Sequence, residues 1–256
     1  MRGENKLNIG IIGSGSAATR IYKILLTINK KNRISFYSKR KNFKIGKKII
    51  PTKKFNFNSQ KKEDYFFVSN NSNEHYKYLI NLIKSQKNIY VEKPICTSMQ
   101  EAKIIKNKLR LFKKKLHVGY QFRENKCINF LKKYIDKNRN KIVFVSGYSG
   151  ENVKKYHKKE NYKKSYTVKK KGGGGVLLTQ SHQLDYLIYL FGKFKITKSL
   201  SANNNKKFNL KSNVEGNVSY ILKTNDNILI NCNLNYFAQK KTYLYIKCLK
   251  ETIFWN

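Results

Sequence analysis

Apolar and polar positions follow two regimes along the chain. Up to about residue 120, short compact apolar runs alternate with stretches whose apolar residues recur every three or four positions. Leu7-Asn8-Ile9-Gly10-Ile11-Ile12 predicts a buried strand, and Ile21, Ile24, Leu25 and Ile28 follow at helical spacing. Ile34-Ser35-Phe36-Tyr37 predicts a second strand and Asp64-Tyr65-Phe66-Phe67-Val68-Ser69 a third. A helix carrying Tyr78, Leu79, Leu82 and Ile83 on one face comes next, and Asn88 to Val91 predicts another strand. That strand must stop at Glu92-Lys93-Pro94, because proline has no N–H to give a ladder. Ser98 and Glu101 form a capping box for a helix reaching about Leu111, and Leu116 to Tyr120 reads as the last strand of the series. Residues 41 to 63, rich in Lys and Asn and containing Pro51, are expected to be loop with a short irregular element. Repeated strand-helix units predict an α/β domain, a doubly wound parallel sheet over residues 1–121.

The pattern then changes. A helix is expected over about Glu124 to Asp136 and a strand over Ile142 to Gly147. Residues 151 to 171 read as a polar loop rich in Tyr and Lys. Gly172 to Gly175 lead into Val176 to Phe191, which predicts one largely buried helix ended by Gly192. From about Lys195 the alternation is strand-like, with a turn at Asn203 to Lys207. Candidate strands are Val214 to Leu222, Ile228 to Leu234, Tyr243 to Leu249 and Thr252 to Trp255. These imply an α+β domain over 122–256, built on an open, mostly antiparallel mixed sheet.

Chemistry enters at the first turn. Gly13-Ser14-Gly15-Ser16-Ala17-Ala18 lies between a strand and a helix, the context that a dinucleotide-binding loop requires. Gly13 permits the tight turn, Gly15 lets backbone approach a pyrophosphate, and Ala18 lets the helix sit close to the strand. The N–H groups that lead the helix, around Ser16, Ala17 and Ala18, would face the phosphates. About 20 residues further on an acid usually grips the ribose 2′-hydroxyl. The chain has Ser38-Lys39-Arg40 there, a hydroxyl and two cations that suit a 2′-phosphate, so NADP is favoured over NAD. Glu92 and Lys93 end a buried strand, the place where open α/β sheets hold their ligands. His182 and Asp185 are three apart and share a helical face.

Composition narrows the class. With 256 residues, 40% hydrophobic and 13% aromatic, the chain can bury a core and is not a disordered sequence. The 55 Lys+Arg against 14 Asp+Glu give a formal charge of +41. That charge would attract polyanions. The lysines are spread beside Asn and Ile over the whole chain, with no basic arm and no nucleic-acid motif, which reads as compositional drift. Four separated cysteines form no CxxC, so neither a disulfide framework nor a metal site is expected. No stretch is long enough for a membrane span or a signal-peptide core, and a reduced, cytoplasmic protein is expected.

Taken together, five pieces resemble the glucose-fructose oxidoreductase, inositol dehydrogenase and rhizopine-catabolism (Gfo/Idh/MocA) family. They are Gly13-x-Gly15-x-x-Ala18, the Asn70 to His75 turn, Glu92-Lys93-Pro94, Gly119 to Arg123, and Gly173-Gly174-Gly175 followed by His182-x-x-Asp185. Tyr156-His157, Tyr162 and Ser165-Tyr166 are similar to members associated with sugar or sugar-nucleotide metabolism. The resemblance implies an NAD(P)-binding domain, a mixed-sheet domain for substrate and oligomerisation, and hydride transfer at a sugar or polyol carbon. It implies that Asn70, His75, Glu92 and Lys93 join the cofactor residues, and that Gln121, Arg123, Tyr156, Tyr166 and Asp185 serve the substrate. Lys93 matches the lysine at the reacting hydroxyl and His182 the histidine of the catalytic set, the two meeting over the nicotinamide ring. An imidazole takes a hydroxyl proton well near neutral pH, and an ammonium steadies oxyanion charge.

Two departures stand out. Many members carry an aspartate one turn before the histidine, where this chain has Leu178. Members also usually continue with a further strand and helix, so a C-terminally short chain is expected. The expected activity is hydride transfer between NADP or NAD and a sugar or sugar-nucleotide hydroxyl or carbonyl, in a homo-oligomer. A truncated, catalytically weak cofactor-binding homologue and a basic nucleic-acid-binding protein are the other readings.

Overall fold

The computed structural model describes residues 6–56, 62–156, 161–202 and 205–256. It divides into two compact units, Met1–Gly119 and Tyr120–Asn256.

The first unit is organised by a five-stranded parallel sheet. Its strands are β1 (Asn8–Ile12), β2 (Arg33–Tyr37), β5 (Tyr65–Val68), β6 (Asn88–Val91) and β7 (Leu116–Val118), in the order β2-β1-β5-β6-β7. Ile11, Phe66, Val68 and Val91 have no exposed surface, as strands covered on both faces require. Burying each such side chain contributes about 1.5–3 kcal/mol. Three helices cover the sheet: α1 (Ser16–Ile28), α2 (Ser72–Lys84) and α3 (Met99–Leu109). Each buries one stripe, Ala18, Ile21 and Leu25 on α1, Leu79, Leu82 and Ile83 on α2, and Ile105 on α3. The capping box at α3 forms with a shift. Ser98 Oγ accepts from Glu101 N at 3.2 Å, but the Glu101 carboxylate accepts from Thr97 N at 2.9 Å.

Residues 41 to 63 depart from the expected loop. They contain a hairpin of β3 (Asn42–Ile45) and β4 (Lys48–Pro51), turned at Gly46 with φ +61°. Positive φ is what a two-residue hairpin turn needs. Its buried residues are Phe43 and Ile50 alone, too few to stand out among the surrounding lysines.

The second unit is built on a six-stranded sheet of order β13-β12-β8-β11-β10-β9. The strands are β8 (Ile142–Gly150), β9 (Phe194–Ala202), β10 (Asn217–Thr224), β11 (Leu229–Asn235), β12 (Lys241–Cys248) and β13 (Thr252–Trp255). Only β8 and β11 pair in parallel. One face packs on α4 (Lys126–Asn138) and α6 (His182–Phe191), with Ile128, Ile135, Leu187, Leu190, Ile230 and Leu234 in the core. Helix α4 starts two residues later than expected because Asn125 caps it, accepting from Cys127 N and Ile128 N. Gln121 to Glu124 form a short 3₁₀ turn instead. The loop expected over 151–171 is tightened by 3₁₀ turns, three of them capped by Asn152, Asn161 and Ser165. His157 and part of the turn expected at 203–207 lie outside the described residues.

The single helix expected over Val176 to Phe191 is broken. Helix α5 (Val176–Thr179) stops, and α6 restarts at His182. Side chains at the break are held from outside the helix. Gln180 Nε2 donates to Asn235 O at 3.1 Å, and the Thr179 hydroxyl bonds both Gly175 O at 2.8 Å and Tyr236 OH at 2.6 Å. Gly192, with φ +76°, ends α6 as expected.

Arg139 ties three elements of this unit together. Its guanidinium donates to Phe191 O at the end of α6 (2.6 Å) and to the Asp226 carboxylate in the β10–β11 turn. The hydrogen bond from Arg139 holds the Asp226 carboxyl down at about 2. A carboxyl depressed below its unfolded value of about 3.9 stabilises the fold above that pH and stops doing so as pH falls toward 2. Asp226 is 41% exposed, so solvent screens the pair and the effect is small. We expect Asp226→Asn to lower the thermal midpoint by a few degrees at pH 6 and to leave it unchanged near pH 2. A gap of equal size at both values would show that Arg139 acts there only as a cap on α6.

Candidate functional site

In the first unit the chain leaves β1 toward one edge of the sheet and leaves β5 toward the other. Ligands of open α/β sheets bind at such a reversal, beyond the carboxyl ends of the strands. Here the two strand ends are almost in contact. Gly13 has φ +129°, and a Cβ on it would lie 2.8 Å from the Ser69 carbonyl and 2.9 Å from Asn70 N. Only glycine fits. Gly15 is different, since a Cβ there would meet nothing within 4 Å. It is the N-cap of α1 and no side chain caps that helix. A crevice-facing glycine under an uncapped 13-residue helix fits a pyrophosphate, which would take hydrogen bonds from the leading N–H groups around Ser16, Ala17 and Ala18. Asn70 Oδ1, beside it, is buried without a hydrogen-bond partner among the described residues.

The end of β2 is tied to this loop, Ser14 Oγ lying 3.0 Å from Ser38 Oγ. Ser38 Oγ also accepts from Arg40 N at 3.2 Å. Lys39 is paired with Glu74, a residue that sequence reasoning passed over. Glu74 lies in the first turn of α2, and its other oxygen accepts from Asn70 Nδ2 at 3.2 Å. Burial alone would raise the Glu74 carboxyl, but the hydrogen bonds from Lys39 and Asn70 hold it below the usual carboxylate range. Its only sequence signal was an acid at a helix N-terminus, which is common.

His75 is 1% exposed, so its ring does not open into the crevice. Nδ1 lies 2.8 Å from Pro94 O and Nε2 3.0 Å from Asn70 O. The ring therefore bridges the turn after β5 to the turn after β6. Burial pushes its pKa down, whereas two carbonyl acceptors favour the imidazolium. Glu92 accepts from Arg20 Nη2 of α1 at 2.8 Å. Lys93 is half-buried and joined to Pro94 by a cis peptide bond. Glycine loop, Asn70 turn and Glu92-Lys93-Pro94 thus share one end of one sheet.

In the second unit His182 is half-buried at the start of α6, in T-shaped contact with two rings. Tyr120 lies 5.8 Å away at 82° and Phe122 5.5 Å away at 90°, centroid to centroid. Phe122 packs in turn on Tyr186 and Trp255. The next residue, Gln183, is 1% exposed and pins the helix to the sheet. Its amide donates to Tyr220 OH at 2.6 Å and accepts from Tyr148 N and Ser149 N at 3.1 and 3.2 Å. Leu178, on the short α5, offers no carboxylate.

Arg123 and Asp185 are brought together, and on each other. Arg123 Nε donates to both Asp185 oxygens at 3.1 and 2.9 Å, and Nη2 donates to Oδ1 at 2.7 Å. Asp185 is buried while Arg123 stays 45% exposed, its guanidinium over the Tyr189 ring at 5.7 Å. Gln121 is exposed on the same 3₁₀ turn as Arg123. Tyr156 and Tyr166 are half-buried. With Glu215 they lie close enough to the buried Tyr236 phenol to add to the upward push that burial gives it. Glu215 also binds the start of α5, its carbonyl accepting from Val176 N and its carboxylate from Leu177 N.

Among the described residues no helix is long and apolar enough to cross a membrane. No curated protein sequence matches the chain. Solved structures do. Myo-inositol 2-dehydrogenase from Lactobacillus plantarum is 16% identical with a TM-score of 0.78, over 98% of this chain and 76% of that one. The WlbA dehydrogenase from Bordetella pertussis, in complex with NADH and UDP-GlcNAcA, is 16% identical with a TM-score of 0.78, over 98% and 79%. Levoglucosan dehydrogenase, in complex with NADH and L-sorbose, is 15% identical with a TM-score of 0.79, over 98% and 73%. At these identities they show the fold. Residues 7–120 match the model of the oxidoreductase family with an NAD-binding Rossmann fold, and residues 145–253 match that family's C-terminal alpha/beta domain. The chain therefore belongs to the Gfo/Idh/MocA family of NAD-binding oxidoreductases.

Proposed function

We propose that this oxidoreductase transfers hydride between a nicotinamide dinucleotide and a hydroxyl or carbonyl carbon of a sugar or sugar nucleotide. The observation that carries the reading is the placement of Lys93 at the same sheet end as the uncapped glycine loop. The substrate class is supported by the similar structures, which are named for inositol and levoglucosan or hold UDP-GlcNAcA and L-sorbose.

Residues 1–121 are read as the cofactor domain and 122–256 as the substrate and oligomerisation domain. Gly13, Gly15, Ser16, Ala17 and Ala18 would cradle the pyrophosphate. Ser38, Lys39, Arg40, Asn70 and Glu92 would line the rest of the dinucleotide. His75, being buried, would contribute by holding the Asn70 carbonyl and the Pro94 turn in place. The bound dinucleotide supplies the hydride acceptor or donor. Lys93 would donate a hydrogen bond to the reacting oxygen and stabilise charge that develops on it. His182 would take or return the hydroxyl proton. Gln121, Tyr156, Tyr166 and the exposed edge of Arg123 would bind substrate hydroxyls, Asp185 fixing the Arg123 fork.

The face of the second sheet that the helices do not cover is read as the oligomer interface. It carries a row of rings, Tyr148 on Tyr243 (5.1 Å) and Tyr243 on Phe254 (5.6 Å), beside hydrogen-bonded Asn217, Asn233 and Asn235. A depression of about 290 Å³ there is lined by uncharged groups apart from Lys198. The depression is charge-poor within a face that carries Lys223, Lys241 and Lys247 further along its strands, and interface cores are depleted of charge. Sedimentation should give a dimer or larger, and Tyr243→Lys should dissociate it. A wild-type monomer at micromolar concentration would remove this part of the reading.

The cofactor site is tested by two glycines that the fold treats differently. Gly15→Val should abolish dinucleotide binding and leave the thermal midpoint unchanged. Gly13→Ala should cost stability instead, by about 1–3 kcal/mol, because of strain at positive φ and the contact with Ser69. Unchanged affinity in folded Gly15→Val would rule the cradle out. For the chemistry, sugars and sugar nucleotides are screened at the reduced-nicotinamide band. Lys93→Met and His182→Ala should each lower turnover by roughly 10²–10⁴ with dinucleotide affinity retained. If turnover per folded molecule survives His182→Ala, His182 is a packing residue between Tyr120 and Phe122.

A further inference from the structure

The end of β2 decides which nicotinamide dinucleotide such a fold takes, because the residue there faces the ribose 2′ position. Read along the chain, Ser38-Lys39-Arg40 offers no acid. In three dimensions it has one. Helix α2 delivers Glu74 to the Lys39 ammonium. The carboxylate is fixed from the other side by Asn70 Nδ2 at 3.2 Å, and Asn70 N lies 2.9 Å from where a Gly13 Cβ would be. Glu74 is therefore anchored beside the glycine loop, yet its side chain stays 29% exposed and open to a ligand. Lys39, 82% exposed, could have pointed into water like most lysines of this chain. With 14 acids among 55 bases, a carboxylate at this spot is not what composition alone would place there.

We propose that Glu74 is the specificity-determining residue for the 2′ position, and that the chain prefers NAD(H) over NADP(H). The inference rests on the cofactor reading above and reverses the preference drawn from the linear sequence. A ribose 2′-hydroxyl can donate to the free lone pairs of the Glu74 carboxylate. A 2′-phosphate brings two negative charges against that carboxylate and finds the Lys39 ammonium already engaged. Ser38 Oγ is also committed, to Ser14 and Arg40 N, which leaves Arg40, and Lys53 whose backbone pairs with Phe36 and Ser38, as cations near the strand end.

NADH and NADPH are titrated into the 256-residue chain and into Glu74→Gln, following nicotinamide fluorescence, with the thermal midpoint measured on each preparation. Wild type should bind NADH several-fold more tightly. Glu74→Gln should move the affinity ratio toward NADPH by roughly tenfold, the scale of one charged hydrogen bond. Glu74→Ser, which also removes the charge but leaves no amide against Asn70, is read in the same way if Glu74→Gln is unstable. Lys39→Met, at an exposed position, should move the ratio further toward NADH. A ratio within twofold of wild type in folded Glu74→Gln or Glu74→Ser overturns the proposal, as does a wild-type preference for NADPH. Failure of wild type to bind either dinucleotide overturns the cofactor reading with it, whereas tight binding with an unmoved ratio overturns this inference alone.

Discussion

The first unit depends on the near contact between the ends of β1 and β5. A parallel sheet sets its strands about 4.8 Å apart, and reversing the winding direction between them forces two turns to leave from the same place. The backbone of Ser69 and Asn70 occupies the space where residue 13 would carry a side chain, so the turn after β1 must be glycine with positive φ. That constraint aims α1 across the crevice and leaves its first N–H groups without a cap. The same approach brings Asn70 to the glycine loop and thereby positions both of its partners, the Glu74 carboxylate and the His75 ring. His75 passes the constraint on to the Pro94 turn, and so to Lys93. One steric fact at Gly13 therefore propagates through three loops to the residue assigned to the reacting oxygen.

The extreme charge of the chain makes its few carboxylates informative. A surface lysine costs little in water and is screened beyond about 10 Å at ordinary ionic strength, so lysines can accumulate where nothing opposes them. Four of the acids tie distant elements together. Glu92 joins α1 to the end of β6 through Arg20, Glu74 joins α2 to the end of β2 through Lys39, and Asp185 fixes Arg123 beside His182. Asp226 joins the β10–β11 turn to the end of α4 through Arg139. Each of these joins elements far apart in sequence. In such a background a carboxylate in an ion pair is better evidence of a positional requirement than a lysine is.

This bears on what could be read from the sequence. The parallel sheet was legible because its strands are short apolar runs without competing charge, and the glycine loop because only a tight turn tolerates that pattern. The capping box at Ser98 and the stop at Gly192 were local and therefore visible. The hairpin at 42–51 was not, since only Phe43 and Ile50 are buried and the lysines around them hide the alternation. The break between α5 and α6 was invisible for another reason. It is imposed by Asn235 and Tyr236, more than fifty residues downstream, acting on Gln180 and Thr179. Glu74 was missed because its partner is 35 residues away and its own position looked like an ordinary acid in a helix's first turn. Arg123 and Asp185 were both identified, but their bond to each other, across 62 residues, could not be. Local rules expose caps and turns, whereas a polar group's partner is set by topology.

Leu178 raises the question of what orients His182 without a carboxylate one turn earlier. Beside the Arg123–Asp185 ion pair on the same face of α6, the groups that fix the helix are neutral. Gln183 is held at its amide nitrogen by a buried tyrosine and at its oxygen by two backbone N–H groups of β8, which fixes the helix in depth and rotation. The hydrogen bonds of Thr179 and Gln180 fix the preceding turn, and the rings of Tyr120 and Phe122 confine the imidazole in T-shaped contacts. A carboxylate would both orient a histidine and stabilise its cation. Rings and amides can do the first but not the second. In the proposed reaction His182 would therefore be oriented by rings and amides rather than by a carboxylate at residue 178.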